Sequence, residues 1–170
     1  MKLTNILQEI GDASLAPYSY FNEDTNLRFD RGMLRGSSTW KFSSPENGYE
    51  VDINYTGGKQ TFPGSNIGVP KFMTYEGHLD TTQEGKPLKV MATIISILRK
   101  ELLQDFEGKP VIEYLDYIVW PASEEKFGAY NIQSKYQRNK LYKVFLEKQL
   151  PQYIDSWVDK DGYFGFKVKK

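Results

Sequence analysis

Hydrophobic residues in this chain recur with two different spacings. At the amino end Leu3, Ile6, Leu7 and Ile10 stand three or four apart, Thr4 is suited to cap and Gly11 to stop, so a short helix is expected over residues 5–10. From there to about residue 77 the signals are for strands. STWKFSS (38–44) and YEVDINY (49–55) flank PENG, a turn of proline, asparagine and glycine, which predicts an antiparallel hairpin. Tyr49, Val51, Ile53 and Tyr55 share one face of the second strand. Glu50, Asp52 and Asn54 share the other, which is therefore wet or functional. Residues 56–70 (TGGKQTFPGSNIGVP) read as a long glycine- and proline-rich loop, and KFMTY (71–75) as another strand.

After GHLDTTQEGKP the period lengthens. Leu88, Met91, Ile94, Ile95, Leu98 and Leu102 mark a core helix over about residues 87–105, with Pro87 suited to its first turn. Gly108 and Pro110 end it. VIEYLDYIVW (111–120) is apolar on both alternating sets apart from Glu113 and Asp116, the pattern of an interior strand. A second helix over 135–149 stops at Pro151, and WVDKDGYFGFKV closes the chain as a hairpin or terminal strand. The expected fold class is α+β: a single domain over residues 1–170, with residues 1–37 a helix and a strand-like lead-in, and 38–170 a mixed, mostly antiparallel sheet packed by two main helices.

Charge and composition narrow the functional classes. The 22 basic and 22 acidic side chains cancel, so no global field draws in nucleic acid or an anionic membrane surface. The absence of cysteine excludes disulfides, thiolate catalysis and cysteine-bound zinc, and fits a cytoplasmic setting. The amino terminus lacks the continuous apolar core of a signal peptide, and no segment reaches the ~20 apolar residues of a membrane helix. The single histidine, His78, alternates with Glu76 and Asp80; an exposed loop histidine among ordinary acids is the favoured reading, and no metal is expected. Tyr18, Tyr20 and Phe21 read as core or interface aromatics rather than a base-stacking surface, and Lys59 in TGGK lacks the spacing of a nucleotide loop.

The second helix carries an electrostatic question. Lys135, Arg138 and Lys140 occupy its first turns, where the peptide dipole disfavours cations by up to about 1 kcal/mol each. Leu141, Val144 and Phe145 define its buried arc, with Arg138 at the rim. Either Glu113 or Asp116 on the preceding strand pairs with Arg138, or Ser134, Lys135 and Arg138 form an anion site at the helix start. Thr93, inside the apolar stripe of the long helix, is expected to bond back to the carbonyl one turn earlier. Glu50 and Asp52 read first as solvent-facing acids, and second as a general-base pair.

The order of antiparallel strands, long helix, buried strand, RNKLY helix and terminal strand resembles the acetyl-coenzyme A dependent N-acetyltransferases of the GNAT superfamily, over about residues 38–168. That resemblance implies a long helix starting at a loop that cradles the cofactor's pyrophosphate, here QEGKP with Gly85 and Lys86. It also implies a tyrosine that protonates the departing thiolate, here Tyr142 in NKLY. Splaying of the 111–120 strand from its neighbour belongs to the same comparison. Over most of the chain, MKLTNILQEIGDAS, PLKVMATIISIL and QRNKLYKVFLEKQLP resemble small proteins of tailed bacteriophages, which implies an infected host cell or a virion as the setting. The functional expectation is an acetyltransferase-like scaffold that binds an anionic small molecule such as acetyl-coenzyme A. The alternative is a non-catalytic interaction module: a virion component, or an anti-defence or host-takeover protein that sequesters a nucleotide or blocks a host protein.

Overall fold

The computed structural model describes residues 16–57, 62, 66–74, 87–121 and 132–170; the short helix expected at 5–10 lies outside them. Four strands come first: β1 (Tyr20–Asp30), β2 (Met33–Ser43), β3 (Gly48–Gly57) and β4 (Asn66–Thr74). Helix α1 (Pro87–Leu103) follows, then a two-residue ribbon of β5 (Asp105–Phe106) and β6 (Lys109–Pro110), and a 3₁₀ turn over Val111–Tyr114. The chain continues through β7 (Tyr117–Pro121), α2 (Ile132–Gln149), a turn at Pro151–Tyr153, β8 (Ile154–Lys160) and β9 (Tyr163–Val168). Three of the hairpins turn on Arg31–Gly32, Glu107–Gly108 and Asp161–Gly162, with φ of 55° and 79°, 53° and 97°, and 52° and 79°. Two consecutive residues with positive φ give the turn twist that matches right-twisted strands.

The sheet runs β1-β2-β3-β4-β7-β9-β8. Every neighbouring pair is antiparallel except β4 and β7, which run parallel because the connection between them carries α1 across a sheet face. The hairpin expected between residues 38–44 and 49–55 is present and longer, with Trp40 opposite Val51. Tyr49, Val51, Ile53 and Tyr55 are buried, in one cluster with Trp40 and Phe42 of β2, Ile94 and Leu98 of α1, and Leu141 and Phe145 of α2. On the opposite face a smaller cluster joins Phe62, Ile67, Val69 and Val119. Among the described residues no helix is long and apolar enough to cross a membrane.

Four expectations change. The 111–120 segment is a buried 3₁₀ turn followed by a short strand; both alternating sets are apolar because Val111, Ile112 and Leu115 tuck wholly into the core. The loop expected over 56–70 gives way at Asn66 to β4, whose Gly68 leaves room for Leu115. The sheet begins at Tyr20, well before residue 38: most of β1 is exposed, so its sequence shows little alternation. In α2 the buried positions are Leu141, Tyr142, Phe145 and Leu146, with Val144 half-buried, which turns the face by about one residue from the expected arc. Thr93 behaves as expected, donating to the Lys89 carbonyl at 2.7 Å while accepting the Tyr18 N–H at 2.9 Å.

Candidate functional site

The parallel pair β4 and β7 stays in register at only two positions, Ile67 with Tyr117 and Gly68 with Ile118. Beyond them β4 continues to Thr74 paired with β3, and β7 continues to Pro121 paired with β9. Beyond Gly68 and Ile118 the two strands exchange no further ladder pairing, although Val69 and Val119 still meet in the smaller cluster. Pro70 stands two residues past the last paired position, and having no N–H it can contribute no donor to a ladder there.

Tyr142 of α2 is set against both strands. Its ring centroid lies 5.5 Å from that of Phe72 on β4 and 5.6 Å from that of Trp120 on β7, so one side chain touches both strands. Tyr142 is 3% exposed and belongs to the main core. Trp120, 4% exposed, also meets Phe164 of β9 edge-on at 5.5 Å. Its Nε1 is buried without a hydrogen-bond partner among the described residues. An indole N–H kept from water in this way costs about 1–3 kcal/mol. The other two tryptophans are satisfied: Trp40 donates to Glu101 and Trp157 to Glu147, each at 2.9 Å.

A second polar feature lies deeper. Glu101 of α1 is 0% exposed, and its carboxylate accepts from Trp40 of β2 at 2.9 Å and from the Tyr55 hydroxyl of β3 at 2.8 Å. Burial, and then the Glu101 charge, push the Tyr55 hydroxyl well above the ordinary tyrosine value. The arrangement fastens the long helix to two strands. Its sequence signal is a lone acid four residues after Ile97 and seven after Ile94, inside the apolar stripe.

The polar face of β3 behaves differently. Glu50 and Asp52 point away from α1 and α2, alternating with the buried Tyr49, Val51 and Ile53. Partial burial, followed by the hydrogen bond and charge of Asp52, raises the Glu50 carboxyl above its usual range, while Lys41 opposes the shift. Lys41 sits 2.8 Å from Glu23 and 3.8 Å from Glu50, and Thr39 donates to Asp52 at 2.8 Å. These acids lie on the face opposite Tyr142 and cannot serve the same reacting atoms. No group of acids and histidine suited to a metal occurs among the described residues.

Of the residues that the sequence offered for catalysis or cofactor binding in acetyl transfer, Tyr142 alone has a described side chain. Gly85 and Lys86 lie outside the described residues, as do Lys59, Glu76, His78 and Asp80. Ser134, Lys135 and Arg138 fall on the backbone of α2, with their side chains outside the described set. Of the two carboxylates considered as Arg138 partners, Asp116 is engaged elsewhere. It accepts the Asn66 N–H at 2.9 Å and lies 3.6 Å from Lys170 Nζ, which also donates to the Leu115 carbonyl at 2.7 Å. The chain matches no family model, no curated protein and no solved structure.

Proposed function

We propose that this chain is an acetyltransferase-like domain that binds acetyl-coenzyme A with the thioester arm lying along the unpaired stretch of β4 and β7. The observation that carries the reading is the parallel pair that stays in register for two positions and then exchanges no further pairing. Strand edges that face each other without pairing offer backbone N–H and C=O groups to an extended ligand bearing amides, the geometry of strand addition. The coenzyme's amide-bearing arm is such a ligand. Its phosphates would rest near the start of α1 or α2, where Lys86, Lys135 and Arg138 are the cationic candidates.

Tyr142, against both strands, supports the same reading. In acetyl transfer an acceptor amine forms the C–N bond as the C–S bond breaks. Tyr142 would give its hydroxyl proton to the departing thiolate of bound acetyl-coenzyme A and would recover one from the amine through solvent. The rival reading, a phage interaction module, rests on β1, an eleven-residue edge strand with Phe21 57% exposed.

Thermal melting with acetyl-coenzyme A separates the two. A ligand at a hundred times its Kd stabilises by about 2.7 kcal/mol, or roughly 5–11 °C at this chain length. In Tyr142→Phe binding is expected to survive while release of free coenzyme A falls about a hundredfold or more. No melting shift at millimolar acetyl-coenzyme A removes the reading and leaves the interaction module; unchanged turnover in Tyr142→Phe removes the tyrosine from the chemistry.

A further inference from the structure

We infer that β1 is a self-pairing edge: two copies of the chain join antiparallel through the stretch from Asp24 to Arg28, about a two-fold axis at Asn26, into one continuous sheet. β1 is the terminal strand of the sheet and pairs only with β2 among the described residues. Apart from Tyr20 and Leu27 every residue of it is exposed, which leaves its outer row of backbone N–H and C=O groups open to a partner. Charge sits unevenly along this edge. Arg28 lies directly opposite Arg35 of β2, a like-charge pair. Four residues earlier Asp24 lies opposite Thr39, which is opposite Asp52 of β3 and donates to it. Alternation puts Asp24, Asn26 and Arg28 on the sheet face away from the helices. Among the described residues neither Asp24 nor Arg28 has an ion-pair partner. Each copy thus presents a basic row and an acidic row with the neutral Asn26 between them.

The charge pattern selects a second copy and fixes the register. A bulge between Asn22 and Asp24 breaks the alternation, so the regular stretch begins at Asp24. A two-fold axis normal to the sheet must fall on a residue, since an axis between residues would set opposite faces together. Centred on Thr25, it sets Asp24 against Asn26; centred on Leu27, Asp24 against Asp30; centred on Arg28, that arginine against itself. Only the axis at Asn26 sets Asp24 of each copy against Arg28 of the other. Thr25 then meets Leu27 on the opposite face. The incoming carboxylate also offsets the repulsion between Arg28 and Arg35, which the single chain leaves without an acid. The pairing is independent of coenzyme binding, because β1 lies three strands away from β4.

The test is sedimentation velocity of the full chain from about 10 μM to about 1 mM, a range that spans weak complexes, over which the parent should pass from monomer to dimer. Asp24→Arg and Arg28→Asp each oppose like charges at both contacts and should weaken the association at least about tenfold. Both side chains are exposed, so the fold tolerates either change. An equimolar mixture of the two variants restores both opposite-charge contacts and should form a heterodimer as readily as the parent forms its dimer. Asp30→Arg makes the same change of charge outside the paired stretch and should dimerise like the parent. A parent that stays monomeric throughout the range overturns the inference and leaves the edge to a different partner. A dimer indifferent to the reversals, a mixture that stays monomeric, or loss of the dimer in Asp30→Arg overturns it equally.

Discussion

Tyr55→Phe removes one oxygen atom from the core and tests whether Glu101 is the bolt that holds α1 to the sheet. The Tyr55 hydroxyl donates to a wholly buried carboxylate at 2.8 Å, and the other donor to that carboxylate, Trp40, remains in the variant. A hydrogen bond to a charged group contributes about 1.5–3 kcal/mol, and the lost hydroxyl leaves the ring packing intact. A loss near 2 kcal/mol corresponds to a fall of roughly 4–8 °C in Tm for a chain of this length. The pH dependence supplies an independent sign. The folded hydroxyl titrates well above the ordinary value near 10, so its protonated form is favoured by folding. Its contribution is complete below about pH 10 and is lost as pH rises from there through the folded value. Urea unfolding of the parent and of Tyr55→Phe should therefore differ by about 2 kcal/mol at neutral pH and converge in alkali. The cycle with Glu101→Gln isolates the pair from the packing of each residue. Equal stability of parent and variant, with identical alkaline limbs, would refute the assignment and leave α1 held by apolar contact alone.

Two further substitutions test other parts of the fold. At Gly165 in β9 an added Cβ would lie 2.0 Å from the Ile118 carbonyl oxygen and 2.7 Å from the Val119 Cα, both main-chain atoms of β7. Gly165→Ala should thus cost about 3 kcal/mol, the upper end for overpacking, and an unchanged urea midpoint would show that the strands separate freely. On the polar face the raised Glu50 carboxyl contributes stability below the ordinary carboxylate value and loses it as pH rises through the folded value. Glu50→Gln should gain roughly 0.5 kcal/mol at neutral pH by relieving repulsion with Asp52. Its stability should also fall less than the parent's between about pH 4 and 7; parallel pH profiles would show that the two acids do not interact.

What local sequence determined is the identity of most elements. The alternation of Tyr49 to Tyr55, the three-and-four spacing of Leu88 to Leu102, the Asp161–Gly162 turn and the stop at Pro151 each act within one or two turns of chain. They are legible because backbone period and turn geometry are local properties. Where an element lay open to solvent, as in β1, or made a buried turn, as at Val111–Tyr114, the pattern misled, because burial there is set by distant neighbours. Tertiary structure alone decided the features that matter for function. Glu101 is buried because Trp40 and Tyr55, 61 and 46 positions away in sequence, arrive with donors. Tyr142 faces inward because β4 and β7, remote from it in sequence, bring Phe72 and Trp120 for it to cover. Periodicity states which side of an element is apolar; which partner meets it, and whether a buried proton finds an acceptor, is settled only when strands remote in sequence come together.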